Sequence, residues 1–263
     1  MPSEDFERIE QESVGSVPFT FYFNSVASDL STKWNVKDHS MTEVMAATPS
    51  RKLIYINIPK VASTSIKNAL SKTKRWEVFS RTELEQDALP MHKEELGYNL
   101  TYLVVWRDPK ERWISGIVEY LLMYHRNIVV PLADDPLDLG IGKLYANDLA
   151  VSMIFDRLVF DDHTDLQCSF IENIPFSNCR FFHMEDAQLV DKLNTVMREF
   201  ELPEITLHRL NSTEYDSDAP RMIQTVKLQN TIRQLIDNNE EYDFKLKQYL
   251  KPDYELIKKV SFQ

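Results

Sequence analysis

Apolar residues along the chain fall into short continuous runs and stretches with helical spacing. The run Leu53–Ile58, closed by Pro59, is rich in β-branched residues and is typical of a strand buried on both faces. Apolar residues then recur at the i, i+3, i+4 spacing of a helix, beginning at Ile66. The hydroxyl residues Ser63–Ser65 just ahead of them are good N-cap types. The pattern therefore predicts a strand, a turn and a helix from residue 53 onward.

A second unit of the same kind begins near residue 100. Leu100–Trp106 is another buried-strand run, and the polar sequence that follows it favours a helix start. Asp108 is placed as the N-cap, Pro109 as the first helical residue, and Glu111 stands three positions after the cap, which together form a capping box. We expect this helix to run to about Tyr124.

Further elements continue the alternation of strands and helices. The pattern predicts a helix near 146–160, a strand at 180–184, a helix at about 185–201, a polar loop at 207–220 and helical structure from 222 onward. Such alternation predicts an α/β fold with a central, mostly parallel sheet flanked by helices. Residues 1–50 have a mixed polar pattern and are interpreted as an N-terminal extension of unknown role, so that residues 51–263 form one domain.

The composition of the chain excludes several classes of protein. The chain has 263 residues, 43% of them hydrophobic, which is ordinary for a globular domain and excludes a disordered or coiled-coil chain. With 41 acidic against 30 basic residues the formal net charge is −11, which argues against a general binder of nucleic acid or anionic membranes. No signal peptide or run of 18 apolar residues is seen, and the two cysteines, Cys168 and Cys179, form no CxxC pair. We expect a cytoplasmic protein without a membrane anchor.

The first candidate site is the turn between the strand at 53 and the following helix. It reads Pro59-Lys60-Val61-Ala62-Ser63-Thr64-Ser65. A strand-to-helix turn with hydroxyl residues brings N–H groups, O–H donors and the positive end of a helix dipole together, and this arrangement binds phosphate. The turn lacks the glycines of a Walker A loop, which disfavours a nucleotide triphosphatase. The competing interpretation is that the hydroxyl residues only cap the helix and that Lys60 is solvated.

The second candidate site follows the strand that ends at Trp106. Arg107 stands at the carboxyl end of that strand, where open α/β sheets bind ligands, and Ser115 lies two turns into the next helix. An arginine fork with a serine hydroxyl suits a phosphate monoester. The competing interpretation is that Arg107 only pairs with Asp108 or another surface acid.

The two sequences, in this order and spacing, resemble the sulfotransferase family, in particular the carbohydrate sulfotransferases and their soluble microbial or viral relatives. The resemblance covers about residues 52–250 and implies a P-loop-like, three-layer α/β fold. In that family the loop of form PKxAxTS, here residues 59–65 including Ala62, holds the 5′-phosphosulfate of 3′-phosphoadenosine 5′-phosphosulfate. The element RDPxERxxS, here residues 107–115, binds the 3′-phosphate. The product would be 3′,5′-adenosine bisphosphate, and no metal is implied.

The resemblance also implies roles for individual residues. Lys60 would stabilise the departing nucleotide, and Ser63, Thr64 and Ser65 would hold the 5′-phosphate. Arg107 and Ser115 would distinguish this donor from ATP. Weaker similarities suggest that Ser212 and Thr213 close over the cofactor and that His163 with Gln167 contacts the acceptor, although each of these pairs also fits an ordinary structural role.

An acceptor hydroxyl needs a general base, for which histidine is the usual choice near neutral pH. His92 is the first choice because related enzymes place a catalytic histidine between the two cofactor motifs; Glu94 or Glu95 is the alternative. The leading hypothesis is thus a sulfotransferase that acts on a carbohydrate hydroxyl. A divergent nucleotide kinase and a non-catalytic nucleotide-binding or interaction module remain the competing hypotheses.

Overall fold

A five-stranded sheet forms the centre of the protein, which we describe from a computed structural model over residues 43–83, 100–124, 141–156, 162–171, 174–207 and 219–260. Its strand order is β3-β1-β2-β4-β5. The strands, in chain order from β1 to β5, are Glu43–Ala47, Leu53–Ile56, Trp76–Ser80, Thr101–Trp106 and Cys179–His183. Helices flank this sheet, so the expected α/β class is confirmed.

The sheet is mixed, which corrects the expectation of a mostly parallel one. Strands β2, β4 and β5 are parallel to one another, but β1 pairs antiparallel with both β2 and β3. The connection from β1 to β2 spans only residues 48–52, and a link that short can join only antiparallel strands. Because β1 belongs to the sheet, the folded domain includes residues ahead of the boundary suggested at 51.

Helices account for most of the remaining described residues. In chain order α1 to α7 are Ser63–Lys72, Pro109–Tyr124, Ile141–Asp156, Leu189–Glu199, Ala219–Asp237, Glu240–Tyr249 and Lys251–Val260. Helix α2 ends at the residue expected from the sequence, the predicted helix at 146–160 is observed as α3, and the helical C-terminal part is confirmed as three helices. Shorter helical turns lie at Arg81–Glu83, Gln167–Ile171 and Phe176–Asn178. None of the helices in the described ranges has both the length and the apolar character needed to cross a bilayer.

The positions of β2 and β4 in the sheet determine where the two candidate motifs lie. All four residues of β2, and Leu103 to Val105 of β4, are at most 2% exposed, as expected for strands covered on both faces. The two strands are parallel and in register, with Leu53 opposite Thr101 and Ile56 opposite Val104. Their carboxyl ends therefore lie side by side, and each strand leads directly into one of the two motifs.

Helix α2 lies very close to the segment at residues 162–171. A Cβ atom placed on Gly116 of α2 would stand 2.0 Å from the main-chain oxygen of His163, which is far inside van der Waals contact. Glycine at this position is therefore a packing requirement. The close approach brings the backbone of residues 162–171 against the helix that begins with the second motif.

We expect Gly116→Ala to destabilise the protein although alanine is the better helix former. Alanine in place of glycine gains up to about 1 kcal/mol in an open helix position, but here the methyl group has to push backbone away, which costs roughly 1–3 kcal/mol in an overpacked interior. Urea unfolding measures the difference. Met123→Ala, at an exposed position of the same helix, is the control and should change stability by less than about 0.5 kcal/mol. A Gly116→Ala protein as stable as the wild type would contradict the close packing.

Candidate functional site

The first motif forms a tight turn with a left-handed backbone between β2 and α1. Lys60 and Ala62 both have positive φ, 67° and 62°. Ala62 occupies the N-cap position of α1 and gives no side-chain cap hydrogen bond. The residues Ser63–Ser65, expected to be N-caps, instead form the first turn of the helix, with Ser65 buried and Thr64 exposed. The first main-chain N–H groups of a helix point along its axis toward the preceding turn.

Lys60 is ion-paired rather than simply solvated. Its Nζ lies 3.2 Å from Oε2 of Glu119 on α2, and the side chains are 22% and 26% exposed. Glu119 was not singled out from the sequence, although its position holds a signal: it stands four residues after Ser115, so the two residues share one face of α2. Through Glu119, the helix that contains the second motif contacts the lysine of the first motif.

The second motif has its arginine held at the carboxyl end of β4. The Arg107 side chain is 20% exposed, and its Nε lies 3.4 Å from Oε1 of the half-exposed Glu185, which follows β5. The acid that contacts the arginine is therefore Glu185, across the sheet edge. Ser115 is buried on α2, two turns further along the chain.

Gln167 fixes the main chain of Arg107. The side-chain Oε1 accepts from the Arg107 N–H at 3.0 Å, and its Nε2 donates to the Arg107 carbonyl at 2.9 Å. The residue is only 2% exposed, so its amide positions the arginine main chain. His163, the other residue expected at the acceptor, lies in the same segment and is half-buried, with Nδ1 3.4 Å from Oδ1 of Asp162.

Arg112 joins the two motifs through main-chain carbonyls. Its Nε donates to the carbonyl of Pro59 at 2.9 Å, and its other nitrogens donate to the carbonyls of Asp162, at 3.1 Å, and of Asp165. All three partners are main-chain carbonyls. It is 2% exposed, and burial lowers the pKa of Arg112 while the nearby charges of Asp253 and Asp165 oppose that shift. Arginine remains charged at neutral pH even so.

The last helix supports the segment that holds Arg107. Asp253 of α7 accepts the N–H groups of Gln167 and Cys168, each at 2.9 Å. This carboxylate is 1% exposed, and burial raises the pKa of Asp253 despite those hydrogen bonds and the Arg112 charge. The C-terminal helix thus reaches the second motif through two hydrogen-bonded steps.

The start of α2 is attached to the C-terminal helices by ion pairs. Asp108 caps α2 as expected, its Oδ1 accepting the Glu111 N–H at 3.0 Å. The Glu111 carboxylate is bound at both oxygens by Arg233 of α5, at 3.0 and 2.6 Å, and this bonding lowers the pKa of Glu111. Lys110 contacts Asp237 and Asp243 at 2.7 and 2.8 Å. These ion pairs attach the start of α2, which follows Arg107, to helices α5 and α6.

Several candidate residues lie outside the described residues. They are His92, the alternatives Glu94 and Glu95, and Ser212 and Thr213 of the late loop. Their assignments remain predictions from the sequence. Of the other candidates, Lys60 and the hydroxyl turn follow β2 and Arg107 follows β4, whose carboxyl ends are adjacent. Ser115 lies on α2, and Gln167 is hydrogen-bonded to the main chain of Arg107.

Neither a protein-family model, nor a curated protein, nor a solved structure matches this chain. The arguments about function below therefore rest on the two motifs and on the geometry that joins them.

We expect Arg112→Ala to destabilise the protein by about 3 kcal/mol or more, because it leaves the buried carbonyls of Pro59 and Asp165, and the part-buried carbonyl of Asp162, without their donor. The Pro59 turn should loosen at the same time, since one of those carbonyls belongs to it. Thermal and urea unfolding measure the loss of stability. Arg198→Ala is the control, because Arg198 is an exposed arginine paired with Glu204 and should contribute under about 1 kcal/mol. Equal stability of the two variants would contradict a bracing role for Arg112.

Proposed function

We propose that this protein is a sulfotransferase that moves a sulfuryl group from 3′-phosphoadenosine 5′-phosphosulfate to a hydroxyl of a carbohydrate, on a P-loop-like fold. The observation that carries the proposal is the hydrogen bond from Arg112 to the Pro59 carbonyl. It couples the turn that would hold the 5′-phosphosulfate to the motif that would bind the 3′-phosphate, beside the adjacent carboxyl ends of β2 and β4. A single nucleotide that carries a 5′-phosphosulfate and a 3′-phosphate suits two cationic motifs that are held side by side.

Each motif would take one end of the donor. Lys60 and the N–H and O–H groups of Ser63–Ser65 would surround the 5′-phosphate, where the helix start of α1 also favours an anion. Arg107 and Ser115 would bind the 3′-phosphate. A nucleotide without that phosphate would leave the second site unfilled, which is the physical basis for discrimination against ATP.

Sulfuryl transfer proceeds by analogy with phosphoryl transfer through a loose, in-line transition state, so catalysis depends on positioning and on stabilising the leaving group. The acceptor oxygen forms a bond to sulfur while the bond from sulfur to the bridging oxygen breaks. The electron pair of that bond stays on the bridging oxygen, which becomes part of the 5′-phosphate. Lys60 would stabilise the charge that develops there.

The first test is thermal unfolding with 3′,5′-adenosine bisphosphate, compared with ATP and 5′-AMP. A ligand at 100 times its Kd adds about 2.7 kcal/mol, which raises Tm by roughly 5–10 °C for a chain of this size. We expect the shift with the bisphosphate only, and we expect it to fall sharply in Lys60→Ala and Arg107→Ala but not in Arg198→Ala. A shift with ATP alone would favour a kinase. Absence of any shift would favour an interaction module and overturn the proposal.

We expect Glu185→Gln to tighten binding of the bisphosphate. The incoming 3′-phosphate has to replace the Glu185 carboxylate at Arg107, and an exposed ion pair of this kind contributes at most about 1 kcal/mol. Removing it should therefore lower Kd by up to about fivefold, as measured by isothermal titration calorimetry. Glu204→Gln, which removes a carboxylate paired with Arg198 on α4, is the matched control. Weaker binding by Glu185→Gln would place the 3′-phosphate away from Arg107.

A further inference from the structure

Glu119 contacts the lysine that the proposed reaction would use. Its carboxylate oxygen lies 3.2 Å from Nζ of Lys60, the group that would contact the bridging oxygen of the donor. We infer that Glu119 is the general base that accepts the proton of the acceptor hydroxyl, an inference that rests on the sulfotransferase function proposed above.

The helix fixes this carboxylate in place. Glu119 lies one helical turn beyond Ser115 on α2, whose neighbouring residues Ile117 and Val118 are fully buried. The side chain of Glu119 is itself 26% exposed, so a hydroxyl from solvent can reach it. A general base must come within hydrogen-bond distance of the proton that it removes, and a half-buried carboxylate on a rigid helix meets that geometric condition.

Donor binding would change what surrounds Glu119. In the structure it is ion-paired with the Lys60 ammonium; in the donor complex that ammonium would turn to the phosphosulfate anion. Loss of a cationic partner and the arrival of an anion both make a carboxylate a stronger proton acceptor. The same event that places the sulfuryl group would thus activate the base beside it.

The proton balance of the step is simple. As the acceptor oxygen bonds to sulfur, its proton passes to a carboxylate oxygen of Glu119, and the electron pair of the sulfur to bridging-oxygen bond leaves with the nucleotide. Glu119 then releases the proton to solvent after the sulfated product departs. The products are the sulfate ester, 3′,5′-adenosine bisphosphate and one proton.

Other carboxylates close to the motifs have other partners. Asp108 caps α2, Glu111 is bound at both oxygens by Arg233, and Glu185 contacts Arg107 of the other motif. Among the carboxylates of the described residues, Glu119 is the one seen in contact with Lys60. These placements favour it as the base for the transfer step.

The test compares Glu119→Gln with wild type on two acceptors of different acidity. Release of 3′,5′-adenosine bisphosphate from the sulfate donor is followed with a mixture of the methyl glycosides of galactose, glucose and mannose, and separately with p-nitrophenol, which is already ionised under mildly alkaline conditions and needs no base. We expect the variant to lose about 100-fold or more of the glycoside reaction, as for loss of a general base, while its rate with p-nitrophenol stays within about threefold. Glu204→Gln should match wild type on both acceptors.

Two further measurements distinguish failure of the proposed function from failure of this inference. The bisphosphate Tm shift should persist in Glu119→Gln, which shows that the fold and the donor site are intact. If wild type shows no such shift, the proposed function fails and this inference fails with it. If the shift persists but Glu119→Gln keeps its glycoside rate, or loses both acceptor reactions equally, Glu119 is not the base. A full glycoside rate in Glu119→Gln with loss in His92→Ala would assign the base to His92.

Discussion

A buried guanidinium is the interaction on which the arrangement of the site depends. Arg112 donates to carbonyls from the Pro59 turn and from the 162–165 segment, so that one side chain connects three parts of the chain that are distant in sequence. A guanidinium suits this position because its planar fork of N–H donors can satisfy several carbonyls at once. A lysine at 112 would supply a point charge and could not hold all three segments in one geometry.

The sequence predicted the parts of the fold that follow from local pattern. The buried runs of β2 and β4, the Asp108 cap and the extent of α2 depend on neighbouring residues, and the structure confirms them. Strands β1 and β3 were missed because their sequences, EVMAA and WEVFS, lack the continuous β-branched run of β2, and β3 at the end of the strand order is partly exposed. The pairing that defines them is visible only in the sheet. For the same reason the motif residues could be named from the sequence, whereas the partners Glu119, Glu185 and Asp253, all distant along the chain, became visible only in three dimensions.

An acidic protein can hold anion sites if their cations are already balanced locally. Here Lys60 faces Glu119 and Arg107 faces Glu185, so each of the two cations already has a carboxylate partner. The strength of an anion's binding is then the difference between its contacts and those of the carboxylates that it displaces. Such exchange favours an anion that fills both sites at once over one that fills only one of them, because a single contact gains little over the ion pair that it replaces.

The attachment of the second motif to Asp253 has a consequence for how the protein is made. The strands that lead into both motifs are synthesised early, but the carboxylate that secures Gln167, and through it Arg107, belongs to α7 and leaves the ribosome much later. During synthesis the sheet can therefore assemble while the arginine site is still unsecured, since chains fold progressively from the N-terminus. The main chain of Arg107 is secured only when α7 docks, so the geometry of the second motif depends on residues that are synthesised well after it.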